Sequence, residues 1–496
     1  MVSAPLRCSK EDRATTKVSV VYDGAANYQN KSLNVEMLTG PKLQQDIVDI
    51  LVMFRRGAFA IVGDIREMFS QIVLREEDRR FHRILWRDLD ADSPIKVYEA
   101  SRLPFGDRAS PFLAQFTIRT NAERNQDAYP LAAESCLQFI YIDDVMRSLD
   151  TVPQIIQLCR ELTAMLHEAE WDIRKFISNS VEALQDIPPE DRAPNIVNLE
   201  ESELPSVKAL GIKWDAGKDV FGYSYTLPEL EVVSKRTLLS LMARLFDPLQ
   251  LLAPFVIRAK ILLQHAWIEG LGWDEEFPEA LDKQVRVWAE ELPLVVRYEL
   301  PRCLKSTEST PERMEIHTFA DASSLAYAAA IYLRCLYSDV SVTVRIALAA
   351  AKARVAPLKA ISIPRLELIL RLAVKTQKLL GVTTLHFWTD SMDVVHWIHG
   401  QSRRYKPFVS HRVAEIPEKS SPQQWRHVPG EQNPADLGTR GSSLENLIEE
   451  SFWTEGPAFL QLEENRWPAE RRLDPDSDGL SDLAQEEVSK SNHHLM

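Results

Sequence analysis

Asp64 closes the apolar run AFAIVG at 58–63, and Asp143 with Asp144 stands at a turn between CLQFIYI (136–142) and residues 145–149. Carboxylates at strand ends can converge, and in an apolar setting they repel unless hard divalent cations with oxygen ligands neutralise them. Two such ions would lower the pKa of a primer 3′-hydroxyl, orient an α-phosphate and stabilise a departing pyrophosphate, which is nucleotidyl transfer. A second set follows: Asp321 in FADAS, Glu367 in the first turn of a helix opened by Pro364, Asp390 in WTDS, and His427 and Asp436 in HVPGEQNPAD. Four carboxylates and a histidine drawn from separate elements suit a second two-metal site, one that hydrolyses a phosphodiester with a metal-activated water.

Each of these residues also has an ordinary structural reading. Asp favours turns by bonding its own backbone, so a lone DD pair is a turn. Glu367 pairs with Arg371 one turn on, and Asp390 and Asp436 cap the helices that follow or contain them. A single histidine is more often structural than catalytic.

The elements that would position these groups can be read from periodicity. Residues 18–22 and 58–63 are strand-like, and Leu43–Phe54 between them has helical spacing. Ile155, Leu158, Cys159, Leu162, Leu166 and Ala169 recur at three- and four-residue steps, which predicts an amphipathic helix beginning after Pro153. LGIKW at Leu210–Trp214 reads as a strand before a long helical region at 228–300, and 301–312 is a turn-rich linker. Beyond it come strands at Glu315–Ala320, Tyr327–Leu333 and Val342–Ala349, a helix at Leu366–Leu380, a strand at Thr384–Thr389 and a helix at Ser391–Ile398. Three strands, helix, strand, helix is an α/β unit of its own.

A length of 496 residues predicts several domains at about 150 residues each. The charged and hydrophobic shares, 26% and 45%, exclude a disordered or membrane-embedded class. Leu238–Leu263 is the greasiest stretch, and Arg244, Asp247, Pro248, Pro254, Arg258 and Lys260 interrupt it too often for a bilayer helix. Residues 1–17 hold no apolar run of the secretory kind, so the expectation is an intracellular protein with no membrane partner. Cys8, Cys136, Cys159, Cys303 and Cys335 lack any CxxC or Cys/His spacing, which predicts reduced thiols. The net charge of −14 opposes phosphate binding in sum, but acid is concentrated from Glu463 to Glu487, whereas Lys352, Arg354, Lys359 and Arg365 cluster, as do Arg403, Arg404 and Lys406.

Six ordered blocks, VVYDGAANYQNKSLNVEMLTGP (20–41), FRRGAFAIVGDIREMFSQI (54–72), FHRILWRD (81–88), FGDRASPFLA (105–114), FIYIDDVMRS (139–148) and LGIKW (210–214), together resemble the reverse transcriptase of BEL/Pao-type long-terminal-repeat retrotransposon polyproteins. Residues 316–441, including AAAKARVAPLKAISIPRLEL (349–368), resemble the RNase H domain of the same class. The resemblance implies an α/β and α+β multidomain fold: a right-hand polymerase of fingers, palm and thumb/connection followed by an RNase H-like α/β domain. The implied boundaries are 1–200 for incomplete fingers and palm, 201–305 for thumb and connection, 312–445 for the RNase H-like domain and 446–496 for an extension whose end is disordered.

On this resemblance Asp64, Asp143 and Asp144 hold the polymerase Mg²⁺ ions, and Asp321, Glu367, Asp390 and Asp436 hold those of the nuclease, with Mn²⁺ an alternative. His427 helps activate water or release product. Tyr141 and Ile142 flank the primer terminus, Phe69 blocks a ribose 2′-hydroxyl, Leu210 and Gly211 grip the primer, and Ser110 with Pro111 lies near the template. Trp267, Trp273 and Trp288 in the thumb and connection are expected to pack rather than stack on bases. Implied partners are an RNA template, a DNA primer, the RNA–DNA hybrid, deoxynucleoside triphosphates and other parts of the polyprotein, in a cytoplasmic particle with nuclear access. One departure stands out: the family carries an arginine for the triphosphate where this chain has Ser19, and a hydroxyl cannot replace a guanidinium's charged bidentate bond. That departure favours a decayed or host-adopted copy that only binds nucleic acid; a second alternative is a chain that retains RNase H activity alone, its polymerase half a scaffold for the hybrid.

Overall fold

A computed structural model describes residues 2–3, 5–9, 18–87, 90, 92–194, 196, 204–338, 343–357, 364–399 and 420–469. Lys359, Arg403, Arg404, Lys406 and the acidic tail beyond Ala469 lie outside the described residues. The chain divides into two compact units, Met1–Ile50 with Phe59–Pro205, and Leu51–Ala58 with Ser206–Met496.

In the first unit, β1 (Phe59–Ile65) is flanked in one four-stranded antiparallel sheet by later strands. Helix α1 (Ser110–Arg124) packs on α2 (Pro130–Gln138), which leads into the hairpin of β2 (Ile140–Tyr141) and β3 (Asp144–Leu149). Helix α3 (Val152–Glu168) follows and then β4 (Ile173–Ser178), giving the sheet order β2-β3-β1-β4. Helix α3 starts where a capping box of Thr151 and Gln154 and a proline in the first turn meet the orphan backbone groups. It buries Ile155, Leu158, Cys159, Leu162 and Leu166, the stripe read from the sequence, against the sheet. The strand expected from 136 begins instead at Ile140. Residues 136–138 stay helical because Ala132, Ala133, Ser135 and Cys136 bury one face of α2 and Arg147 of β3 donates to the Leu131 carbonyl and the Ser135 hydroxyl.

The second unit opens with an antiparallel hairpin, β5 (Ser206–Ala209) and β6 (Ile212–Asp215), extended by β7 (Val220–Gly222) and β8 (Leu300–Pro301). Leu210 and Gly211, expected at the start of a strand, are instead its two-residue turn, with φ of 48° and 90°. That backbone is the mirror-image turn whose twist suits a hairpin. Three helices at Lys235–Arg244, Ala253–Ile268 and Glu279–Glu291 fill the stretch read as helical. Trp288 is buried there, as expected of a packing residue, but Trp267 and Trp273 are 49% and 44% exposed. Their rings meet edge to face at the C-terminal end of the Ala253–Ile268 helix, where they shield the buried Lys235 ammonium, 3.5 Å from the Trp267 ring centre, rather than enter the core. In the turn-rich stretch at 301–312, Arg302 is fully buried and donates to the carbonyls of Phe54, Gly57 and Ala58 and to Asp219.

The rest of this unit is built on a five-stranded sheet of β9 (Arg313–Ala322), β10 (Ala326–Leu336), β11 (Val344–Val355), β12 (Thr384–Thr389) and β13 (Trp425–His427), in the order β11-β10-β9-β12-β13. β9, β10 and β11 are antiparallel neighbours, while β12 runs parallel to β9 and β13 parallel to β12. Helix α4 (Pro364–Leu380) crosses over between β11 and β12 and packs on β9 and β10, with Ile369 against Ala320 and Ala329. A short helix α5 (Ala435–Arg440) presses so close that a Cβ on Gly438 would stand 2.6 Å from that of Ala328. Small residues at this contact bring α5 to the sheet end where the second set of acids gathers. Among the described residues no helix is long and apolar enough to cross a membrane.

Candidate active sites

In the first unit, Asp64 lies directly opposite Asp144 in the β1–β3 ladder, and the carbonyl of Asp143 accepts from the Ile65 amide at 2.8 Å. The YIDD turn is strained: Ile142, β-branched, has φ of 58° and is partly exposed. Such a conformation costs about 1–3 kcal/mol and persists only where the surroundings hold it. Gln115, buried on α1, does so by donating to the Ile142 carbonyl at 3.0 Å. Like charges facing across a ladder are destabilising, and Lys175 of β4 answers them with its ammonium 2.7 Å from the Asp64 carboxylate. The donor set is all oxygen, which fits Mg²⁺ or Mn²⁺ better than a softer ion.

Phe69 sits in the one-turn helix Met68–Gln71, buried and 4.7 Å from the Phe105 ring centre. Tyr141 pairs with Asp144 at the hairpin, as the first strand of the turn requires. Ser110 is 1% exposed and donates its hydroxyl to the Pro104 carbonyl at 2.7 Å, so the structure gives it a loop-anchoring contact. Leu210 and Gly211 are placed in the second unit, in the hairpin turn. Ser19 lies on the strand Val18–Tyr22, opposite Cys8 in a two-stranded ribbon.

In the second unit, parallel register pairs Ala320 with Thr389, so Asp321 and Asp390 leave neighbouring strands side by side. His427 stands opposite Thr389 on the other flank and is half-buried. Burial, and then the adjacent Asp321 and Asp436 charges, holds the Asp390 carboxyl above its usual range against a bond from Asn433. Burial likewise raises Asp436, and Asp321 adds to it, although Arg440 one turn on opposes the rise from 2.7 Å. Two carboxylates raised by burial and by the neighbouring Asp321 charge form, with it, the arrangement a divalent cation relieves. Thr439 donates to Asp321, and the buried Asn433 donates to the Ala320 carbonyl at 3.0 Å, tying α5 and the segment before it to β9. Glu367 lies on α4, whose backbone runs past Ala320. Its side chain, like that of Ser19, is outside the described residues.

Lys175, Gln115, Asn433 and Thr439 escape a reading of the sequence. Asn433 could have been found within the string NPAD and Thr439 one turn after Asp436, but nothing in IRKFIS marks Lys175.

Glu315, His317 and His386 form a buried group at the opposite end of β9 and β12, with ligand atoms within 4.8 Å of one another. The geometry does not suit a cation. Glu315 already binds Arg313 and Arg334, each at 2.7 Å, and the His317 Nδ1 accepts from the Trp388 indole at 3.1 Å. The two imidazoles are stacked, so their in-plane lone pairs run side by side rather than converging. Trp467 covers them edge-on.

Two acid-bearing sheets, the second with its acids at the ends of adjacent parallel strands, stand in a mixed α/β fold similar to that of solved retroviral reverse transcriptases. A foamy viral protease-reverse transcriptase dRH solved in complex with double-stranded DNA is similar at a TM-score of 0.54 and 14% identity, over 86% of this chain and 65% of that one. The foamy viral protease-reverse transcriptase in complex with an RNA/DNA hybrid is similar at 0.50 and 14%, over 86% of this chain and 50% of that one. The chain thus spans one half to two thirds of the solved chains it matches. No curated protein matches the sequence. Residues 234–391 match the model of the Pao retrotransposon-like RNaseH-like domain family. Asp321, Glu367 and Asp390 fall inside the match, and His427 and Asp436 beyond it.

Proposed function

We propose that this chain is the polymerase and RNase H segment of a retroelement polyprotein, copying an RNA template into DNA from a primer and degrading the RNA of the resulting hybrid. The observation that carries the reading is the cluster of Asp321, Asp390 and Asp436 at one end of a sheet most of which lies in the stretch similar to the Pao RNaseH-like family. In the first unit, read as fingers and palm, Asp64, Asp143 and Asp144 would hold Mg²⁺ or Mn²⁺, as would the second cluster with Glu367. The ions would supply charge neutralisation and an acidified hydroxyl or water. The chain's own groups do the rest. Gln115 holds the YIDD turn in its strained form, Phe69 crowds the space beside a sugar, and Asn433 and Thr439 fix the nuclease acids. His427 stands where it could carry a proton to or from the reacting water or leaving group.

A second reading, nuclease alone, is favoured by Ser19 in place of the expected arginine. Primer extension separates the two. With an RNA template, a DNA primer, all four dNTPs and Mg²⁺, the full chain should lengthen the primer. Asp144→Asn should stop extension and Asp390→Asn should not. Hybrid cleavage without any extension would leave the nuclease alone standing. Ser19→Arg should lower the apparent KM for dNTP by about tenfold; an unchanged KM would remove Ser19 from the argument.

A further inference from the structure

The ladder between β1 and β4 breaks beside Asp64. Ile61 faces Ser178 and Val62 faces Ile177, but the next pair is Asp64 with Arg174, so Gly63 alone opposes both Phe176 and Lys175. This is a β-bulge, one extra residue on β4. Lys175 occupies it with φ of 57°, a left-handed backbone that a side chain with a Cβ rarely adopts. The ordinary alternation of the strand is broken there. Phe176 turns into the core at 1% exposure, over a glycine whose Cβ would touch its ring at 3.0 Å, and Lys175 reaches Asp64 with Nζ to Oδ2 at 2.7 Å. Bulges beside functional sites serve to re-aim a side chain, and strain kept at such a place points to a purpose.

Resting on the palm reading of the first unit, we propose that Lys175 is a resident counter-cation: its ammonium holds the place on Asp64 that a divalent ion takes, and gives it up when the ion loads. Asp64 and Asp144 face each other as like charges, and a covalently tethered cation keeps the empty site folded in its working shape. The same tether competes with the metal, because ammonium and ion draw on the same carboxylate lone pairs. Loading is then set by the difference between two cations, and the apparent metal affinity is weakened by the fraction of chains in which Lys175 is docked.

Calorimetric titration of Mn²⁺ into the full chain, without nucleic acid and with Asp390→Asn to silence the other centre, tests this. Lys175→Gly removes the ammonium and suits the left-handed backbone, and Lys175→Asn is a second variant tolerant of it. Both should bind Mn²⁺ about tenfold more tightly than the lysine form, and adding Asp64→Asn should abolish the gain. Equal or weaker binding in the two variants, with the lysine form still binding, would overturn the counter-cation and leave the palm site in place. No Mn²⁺ binding in any form would overturn both.

Discussion

Asn433 shows how one uncharged residue can govern a cluster of acids. It is 1% exposed, donates to the Ala320 carbonyl and hydrogen-bonds to Asp390, so it fixes the sheet end and the Asp390 carboxylate together. Asn433→Ala should slow hybrid cleavage about 10–100-fold, as losses of supporting contacts around a metal site do, measured as single-turnover rates with the folded fraction checked by circular dichroism. An unchanged rate would reduce Asn433 to packing. At this scale Asp64, Asp143, Asp321 and Asp390 were legible because each follows an apolar run, a pattern that strand geometry makes meaningful. Their supports were not, since a left-handed backbone at Lys175 or a buried amide at Asn433 depends on neighbours far away in sequence.

The elements were legible where periodicity was strong and blurred where tertiary contacts decide. Helix α3 keeps its expected stripe but starts at Val152, with Pro153 inside its first turn, and strand β12 falls where the sequence placed it, six residues bounded by Gly381 and Asp390. The Leu210–Gly211 turn was hidden because leucine gives no signal for a positive φ, which only its place before Gly211 in a hairpin imposes. Residues 136–138 were read as strand because apolar runs fit either period, and Arg147 settles the question by bonding into α2. Between β1 and β4, Gly63 makes room for Ile173 and Phe176, each within 3.0 Å of where a Cβ would lie. Gly63→Ala should destabilise the first unit by about 1–3 kcal/mol through overpacking, read from urea unfolding. A midpoint equal to wild type would mean that the bulge yields without cost.

Across the larger unit, stability should depend on pH through the buried group at the far end of the sheet. Burial, and then His317, pushes His386 down to about 3 from 6.5, and burial also lowers His317. Burial alone would raise Glu315, but bonds from His317 and Arg334 bring it to about 2 from 4.5. The unfolded chain therefore takes up the histidine protons first. Stability from the neutral imidazole is complete above 6.5 and is lost as pH falls toward 3, and that from Glu315 is complete above 4.5 and lost toward 2. Each group contributes at most about 1.4 kcal/mol per pH unit in its window. Unfolding followed by tryptophan fluorescence from about pH 7 to pH 4 should show this fall, and His386→Phe should flatten it; equal slopes in the two proteins would exclude His386 as a source.

The most direct measurement is release of labelled RNA fragments from an RNA–DNA hybrid by the full chain with Mg²⁺. The wild-type chain should cut the RNA strand, and Asp390→Asn, equally folded, should do so about a hundredfold more slowly or not at all. Cutting at the same rate by Asp390→Asn, or none by the wild-type chain, would contradict a nuclease centre built from Asp321, Asp390 and Asp436.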